Sequence, residues 1–392
     1  MIKNSFKHVN QNAFYKIFIW LLLFSISLCF SSCNNTEKES NINPVTIGEI
    51  TCGYDDQICF STTHDIVRTE EGYYFCSDRN ILCFFDPITK KTVPVCSRPN
   101  CSHTSDEKEC DANLHSIKKI SGIWYYDNEI YIGSYDYEKY TYYLIRISKD
   151  GSRRTRCCNL LSLDPETTEK GVSGGDIRNL MIHRGYAYFT AAESESKTSI
   201  YRVELKKNAA AKKIYTTGVA YAYLAAVRGY GNGLYFRESE PIKDSKSSYK
   251  STLYYYDSHS GLLKMCLENL QSDCFPYEES IYFSNGTDFC RLETKSNAVK
   301  TIYKGKCRQS SSDGKYFYLD NNDLAYNDDK HVTVIDLDGN IVDEIVSNGV
   351  YCIFGDIDYL FYAKVTDARF IYMAFDKTQI GTDSRKWIDL VP

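Results

Sequence analysis

The sequence has 392 residues, a formal net charge of −5, 25% charged residues and 43% hydrophobic residues, which is the range of an ordinary globular protein. These values exclude a disordered chain, a collagen-like chain and a polytopic membrane protein. They also argue against a nucleic-acid partner, because phosphate contacts need a surplus of Lys and Arg. The 34 Tyr and 19 Phe beside only 4 Met favour many strands and few helices.

The N-terminus has the pattern of a secretion signal. Three lysines precede a 14-residue apolar run at residues 17–30, and a transmembrane helix needs roughly 20 such residues. The run leads into Ser31, Ser32 and Cys33, and small residues before a Cys at this place resemble a bacterial lipobox. The resemblance implies cleavage before Cys33, lipidation of Cys33 and a lipid anchor in the bacterial cell membrane, with the protein outside the cytoplasm.

The first domain boundaries follow from this reading. We expect residues 1–32 to be a lipoprotein signal peptide, and residues 33–48 to be the lipidated Cys33 with a polar, flexible tether. The alternatives are an ordinary signal peptide or an uncleaved anchor.

Residues 49–392 contain seven copies of one pattern, an aromatic strand followed by a second strand and often a turn with Asp or Gly. From Tyr74 to Phe361 the copies recur about every 48 residues, and four-stranded propeller blades take roughly 40–50 residues each. The aromatic strands that begin the copies are Gly72–Phe75, Glu129–Ile132, Tyr186–Phe189, Gly233–Phe236, Ser280–Phe283, Gly314–Tyr318 and Asp358–Tyr362.

The repeat predicts an all-β fold, a seven-bladed β-propeller of four-stranded antiparallel blades. Aromatic rings would fill the wedges between blades, because they bury the most area per residue. The alternative is a pair of β-sandwiches, which does not predict a regular period. We also expect one chain end, residues 45–65 or residues 387–390, to complete the other's blade, since a ring leaves no bare edge.

A Cys-rich insert at residues 96–112 follows the first blade. It contains Cys96, Cys101, His103 and Cys110 in a C-x4-C-x-H-x6-C spacing. Three thiols and one imidazole are enough for a tetrahedral site that favours a structural zinc ion, or iron in an anaerobe. No C-x2-C knuckle is present. A disulfide arrangement, as expected outside the cytoplasm, and reduced buried thiols are therefore open alternatives.

Other cysteines and motifs carry weaker signals. Adjacent Cys157 and Cys158 are not expected to bond each other, because a vicinal disulfide is strained, whereas Cys266 and Cys274 could pair across a blade turn. Residues 171–175 match G-x-S-x-G. They lack the strand before and the helix after that a nucleophile elbow needs, so we interpret them as a Gly-rich loop.

Taken together, the lipobox, the tether, the Tyr-Phe…Leu-Tyr-x-x-Asp repeat and the Cys-rich insert resemble secreted bacterial lipoproteins with a TolB-like propeller, a type common in anaerobic Gram-positive bacteria. The resemblance covers essentially the whole mature chain. It implies the fold and a cell-surface location, and it implies no established activity.

Two classes of function fit these features. The first is a binding or scaffold module for an unknown extracellular protein, peptide or glycan, because propeller faces are built from loops and loops carry recognition. The second is a propeller enzyme of the lyase or glycosidase type with its site at the mouth of the central channel. Its candidate residues are His183, Arg184, Arg228, Arg237 and Asp288. No catalytic residue and no further cofactor can be assigned from the sequence.

Overall fold

The computed structural model describes residues 65–392 apart from 105–106, 118, 165–176, 195, 243–248, 271–273, 306, 308, 321–328, 349, 357 and 367–368. The predicted signal peptide, Cys33, the tether and the Gly-rich motif at 171–175 lie outside the described residues. In the part of the chain that is described, no helix is long and apolar enough to cross a membrane.

Within the described residues, 28 strands form seven antiparallel sheets, and each sheet consists of four consecutive strands. The prediction of a seven-bladed propeller is confirmed, and the alternative of two β-sandwiches is wrong. Blade 1 contains β1 Ile66–Arg68, β2 Tyr73–Cys76, β3 Leu82–Asp86 and β4 Lys91–Pro94. Blade 2 contains β5 Lys119–Tyr126, β6 Glu129–Asp136, β7 Thr141–Ser148 and β8 Arg154–Ser162. Blade 3 contains β9 Ile177–His183, β10 Tyr186–Ser194, β11 Lys197–Glu204 and β12 Lys212–Thr216.

Blades 4 to 7 follow the same order along the chain. They contain β13 Tyr223–Tyr230, β14 Gly233–Pro241, β15 Tyr249–Asp257 and β16 Leu263–Glu268; β17 Cys274–Tyr277, β18 Ser280–Ser284, β19 Asp288–Glu293 and β20 Val299–Lys304; β21 Gln309–Ser312, β22 Tyr316–Asp320, β23 Asp329–Asp336 and β24 Ile341–Asn348; and β25 Val350–Gly355, β26 Tyr359–Thr366, β27 Arg369–Asp376 and β28 Trp387–Asp389, with a short 3₁₀ helix at Lys377–Gln379.

The first strand of each blade lies innermost. Strand β5 contacts β1 and β9, β13 contacts β9 and β17, and β21 contacts β25, so the first strands of neighbouring blades meet around the centre. The second and third strands carry most of the aromatic residues of the repeat and form the middle of each blade. The fourth strands form the outer rim, where single apolar side chains such as Met265 and Val299 are exposed.

Apolar side chains fill every junction between neighbouring blades. Core clusters join blades 1 and 2, blades 2 to 4, blades 4 and 5, blades 5 and 6, blades 6 and 7, and blades 7 and 1. At the last of these junctions, the ring of Tyr73 lies 4.7 Å from that of Phe361 and 5.8 Å from that of Tyr359. The ring of blades is therefore closed by the same aromatic packing that joins the other blades.

A buried polar network also links blades 6, 7 and 1. The Lys377 ammonium contacts the Asp313 carboxylate and the backbone carbonyl of Asp356. The Asp356 carboxylate accepts from Arg68 at 3.1 Å and from the Tyr73 hydroxyl at 2.5 Å. Burial raises the pKa of Asp356, while the charge of Arg68 and the Tyr73 hydrogen bond oppose the rise.

In the described residues, the two ends of the chain do not exchange strands. The C-terminal strand β28 pairs with β27 of its own blade, and the Trp387 ring packs 4.7 Å from Tyr362 and 4.9 Å from Phe375. In the described residues blade 1 likewise takes all four of its strands from residues 66–94. The expectation that one end completes the other's blade is therefore wrong, because Trp387 finds its apolar partners within blade 7.

We predict that Phe361→Ala lowers the free energy of unfolding by about 3–5 kcal/mol, because it leaves a cavity between blades 7 and 1. Urea denaturation followed by fluorescence measures this. The control is Ile88→Ala, whose side chain is 88% exposed, and it should change the free energy by no more than about 0.5 kcal/mol. Equal stability of the two variants would contradict the closure of the ring at this junction.

Candidate metal centre

The Cys-rich insert forms a loop that connects β4 of blade 1 to β5 of blade 2. We call residues 96–112 the cysteine loop. Just beyond its end, Asn113 forms a β-bridge with Ile81. The backbone N–H of Leu82 donates to the carbonyl oxygen of Ala112 at 2.8 Å. The end of the loop is therefore fixed against the third strand of blade 1.

The four predicted ligand residues meet in this loop. One ligand atom each from Cys96, Cys101, His103 and Cys110 lies within 4.8 Å of all the others. The Cys110 Sγ atom is 3.6 Å from Nδ1 of His103, and a sulfur and a nitrogen bound to one tetrahedral zinc ion are about 3.6 Å apart. Both the donor set and the spacing fit a four-coordinate Cys3His site. Cys110 is buried and the other three residues are half-buried.

Glu107 shapes the arm that carries Cys101 and His103. Its carboxylate accepts from the backbone N–H of Ser102 at 2.9 Å, from the Ser102 hydroxyl at 2.6 Å and from the backbone N–H of His103 at 3.1 Å. His103 itself has a left-handed backbone with φ 53°, which non-glycine residues seldom adopt. The donors from Ser102 and Cys101 hold the pKa of Glu107 below its ordinary value. The Glu107 carboxylate, which is not one of the four clustered residues, thus fixes this arm.

Asp111 does the same for the arm that carries Cys96. Its carboxylate accepts from the Ser97 hydroxyl at 2.7 Å, from the Ser97 backbone N–H at 3.2 Å and from Nε of Arg98 at 3.4 Å. Each of the two arms is therefore held by a carboxylate that is not one of the four clustered residues. Such supporting contacts orient the ligands of metal sites.

The loop favours a thiolate at Cys96. Burial raises the pKa of Cys96, but backbone N–H groups of Arg98 and Asp111 and the thiols of Cys101 and Cys110 donate to its sulfur and bring the pKa below its ordinary value. Burial is also the main reason why the pKa of Cys101 is raised to about 12. A metal ion would therefore displace protons as it binds, which is usual for thiolate ligands.

Arg154 connects the cysteine loop to blade 2. It lies on β8, and its guanidinium donates to the backbone carbonyl of Asn113 at 2.8 Å and to that of Asp111. Burial lowers the pKa of Arg154, although the charge of Asp111 opposes this. The site is thus held between two blades.

The eleven cysteines whose side chains the structure describes are all free thiols. They include the three of the cysteine loop, so the structure brings these sulfurs together without a disulfide. They also include Cys266 and Cys274, so the disulfide that these two could form across a blade turn is not present. Cys274 is buried in the core of blades 4 and 5, and Cys266, half-buried on an outer strand, packs against the same core.

Of the residues considered for an enzymatic site, His183, Arg184 and Arg228 are buried on or beside β9 and β13, the innermost strands of blades 3 and 4. Arg237 lies on the second strand of blade 4, and Asp288 lies on the third strand of blade 5. The guanidinium of Arg228 stacks 4.8 Å from the centre of the Phe275 ring. Among the described residues, the cysteine loop holds the one group of three or more His, Cys, Asp or Glu side chains at metal-ligand spacing. The G-x-S-x-G motif lies outside the described residues.

Sequence reasoning missed three residues of the site. Glu107 and Asp111 are acidic residues inside a polar loop and look like solvated surface charge in the sequence. Arg154 is 43 residues from its partner Asp111, and no local pattern connects the two. Of the three, only Asp111 could have been identified from the sequence, because it directly follows the last Cys of the motif.

Comparison with known proteins assigns no family to the chain. No protein-family model matches the chain, and no curated protein matches it. Solved structures that are similar include the β-propeller domain of the trilobed protease of Pyrococcus furiosus, with 12% identity and a TM-score of 0.46 over 85% of this chain and 97% of that one. They also include an uncharacterised protein of Listeria monocytogenes, with 9% identity and a TM-score of 0.48 over 70% and 83% of the two chains.

A third similar structure is an oligogalacturonate lyase in complex with manganese, with 9% identity and a TM-score of 0.45 over 69% of this chain and 75% of that one. The fold assignment rests on the seven four-stranded sheets of the chain itself. The chain is a seven-bladed β-propeller with a Cys- and His-rich loop on its first blade.

We predict that Arg154→Ala loosens the cysteine loop, because two backbone carbonyls lose their donor. Amide hydrogen exchange in residues 96–113 should accelerate about tenfold, which corresponds to about 1.4 kcal/mol. The control is Arg153→Ala, which removes an exposed ion pair with Glu129 and should leave exchange in the loop unchanged. If both variants exchange like the wild type, Arg154 does not hold the loop.

Proposed function

We propose that the protein is a lipid-anchored, extracytoplasmic binding module of the TolB-like lipoprotein type, whose cysteine loop is held by a structural zinc ion. The observation that carries the proposal is the convergence of Cys96, Cys101, His103 and Cys110 within 4.8 Å on the loop face of a closed propeller. Thiolate and imidazole donors in this number suit zinc.

A structural role for the metal follows from the ligand count. Four protein ligands complete a tetrahedral zinc site, whereas a catalytic zinc keeps a position for water or substrate. When bound, the ion would supply a cross-link between the two arms of the loop. Glu107 and Asp111 orient those arms, and Arg154 ties them to blade 2. The metal would thus stabilise the shape of the loop.

The position of the loop supports recognition as the function. Because successive strands of a blade are antiparallel, the connections between second and third strands leave the ring on the same face as the connections from one blade to the next. The cysteine loop is one of the latter. Tyr137, Tyr221 and Tyr249 project from the same face and are 63%, 66% and 44% exposed. Exposed Tyr residues on loops suit adaptable contacts with a protein or glycan.

The lipobox-like sequence supports the proposed location. Lipidation at Cys33 would hold the propeller to the membrane through the tether at residues 34–48, which spans at most about 50 Å when extended. An unknown extracellular protein, peptide or glycan would then be bound at the cell surface.

The metal proposal predicts one zinc ion per chain in protein purified without oxygen or chelator. Native mass spectrometry with elemental analysis measures it. Cys110→Ser should lose the ion, because it removes a buried ligand, whereas Cys290→Ser, a buried cysteine on β19, should keep it. Metal-free wild-type protein that is lighter by two hydrogens per bonded pair of cysteines would instead establish a disulfide in the loop.

The anchor proposal predicts that Cys33→Ala abolishes lipid modification and leaves the propeller folded. Labelling with a clickable palmitate analogue and fractionation of the cells measure this. Cys29→Ala, within the predicted signal peptide, is the matched control and should be labelled like the wild type. Membrane retention and labelling of Cys33→Ala would rule out lipidation at this residue.

A further inference from the structure

A second pair of cysteines, distant from the cysteine loop in the chain, lies on the outer strand of blade 2. In the pairing of β7 with β8, Leu144 is opposite Cys158 and Ile145 is opposite Arg156, so Cys157 is the extra residue of a β-bulge. A bulge interrupts the alternation of a strand and places two consecutive side chains on one side. The burial pattern agrees, because Cys157 and Cys158 are both buried between the exposed residues Arg156 and Asn159.

Cys157 and Cys158 are among the residues that line a cleft between blades 2 and 3. The cleft has a volume of about 780 Å³, and its other side is formed by Tyr201 and by residues 207–211 of the connection between β11 and β12. Lys139 and Arg156 also line it. The thiols are therefore adjacent, on one side of the strand and next to a space that a small molecule can enter.

The contact between the two thiols separates their pKa values. The Cys158 thiol donates to the Cys157 sulfur and, with the charge of Arg146, lowers the pKa of Cys157 against the effect of burial. The same contact and burial raise the pKa of Cys158. Cys157 is therefore the more readily ionised of the two, and the thiolate is the form of cysteine that attacks electrophiles and binds soft cations.

We propose that Cys157 and Cys158 form a two-thiol site for soft, thiophilic cations, and for trivalent arsenicals in particular. Arsenic(III) accepts two adjacent sulfurs at a narrow angle, which suits neighbouring side chains on one side of a strand. With an arsenic oxide R–As=O, two As–S bonds form and the As=O bond breaks. The oxide oxygen leaves as water with two protons, one from Cys158 and one from Cys157 or, where that thiol is ionised, from solvent. Arsenic remains trivalent, so no oxidant is needed.

The test uses phenylarsine oxide on the intact protein in its reduced form. Unprotected thiols are then alkylated with N-ethylmaleimide, and the protein is digested with trypsin. Cleavage after Arg156 and Lys170 gives a peptide that contains Cys157 and Cys158 and no other cysteine. We expect this peptide to be protected from alkylation by one phenylarsenic group. A small dithiol should reverse the protection, whereas an equal concentration of a monothiol should not.

Single substitutions test whether both sulfurs are needed. Cys157→Ser and Cys158→Ser should each weaken binding at least about a hundredfold, because chelation makes the second bond intramolecular. Cys290→Ser, which removes an isolated buried thiol, should not weaken it. Full alkylation of the wild-type peptide in folded protein would overturn the proposal. So would protection confined to cysteines of the cysteine loop, or undiminished binding by either single variant. The wild-type experiment decides the matter even if a variant fails to fold.

Discussion

A propeller blade has two apolar faces, and both must be covered by neighbouring blades. No blade of this protein is therefore stable by itself in its observed packing, and the ring must close for the first and last blades to bury their aromatic residues. Tyr73 and Phe361 meet at this closing junction. Polar contacts also link the blades near this junction. Lys377 contacts blades 6 and 7, and Arg68 of blade 1 donates to Asp356 of blade 7. The loops are held in place by this closed ring of blades.

The cysteine loop shows how the closed ring of blades positions the candidate metal centre. Cys110 and Ala112 are part of the apolar cluster that joins blades 7 and 1, so one ligand is fixed by the core itself. The remaining ligands lie on arms that Glu107 and Asp111 hold by hydrogen bonds. A site organised in this way loses little conformational freedom when a metal binds, because the arms are already ordered.

Periodic features could be predicted from the sequence, whereas features that depend on distant partners could not. The aromatic repeat predicted seven blades because each blade meets the same packing requirement, and the Cys and His spacing predicted the four clustered residues because they are close in the chain. The end of blade 7 was predicted wrongly, since the choice of partner for Trp387 depends on packing against Tyr362 and Phe375. The roles of Arg154 and of the bulge at Cys157 require the registers of β7 and β8, which no local pattern encodes.

The most direct test of the metal centre is X-ray absorption spectroscopy at the zinc edge on protein purified without oxygen or chelator. Three cysteines and one histidine predict a first shell of three sulfurs at about 2.3 Å and one nitrogen at about 2.0 Å. A first shell of only nitrogen and oxygen atoms would place the zinc elsewhere in the protein. That result would contradict the account of the cysteine loop as a Cys3His site.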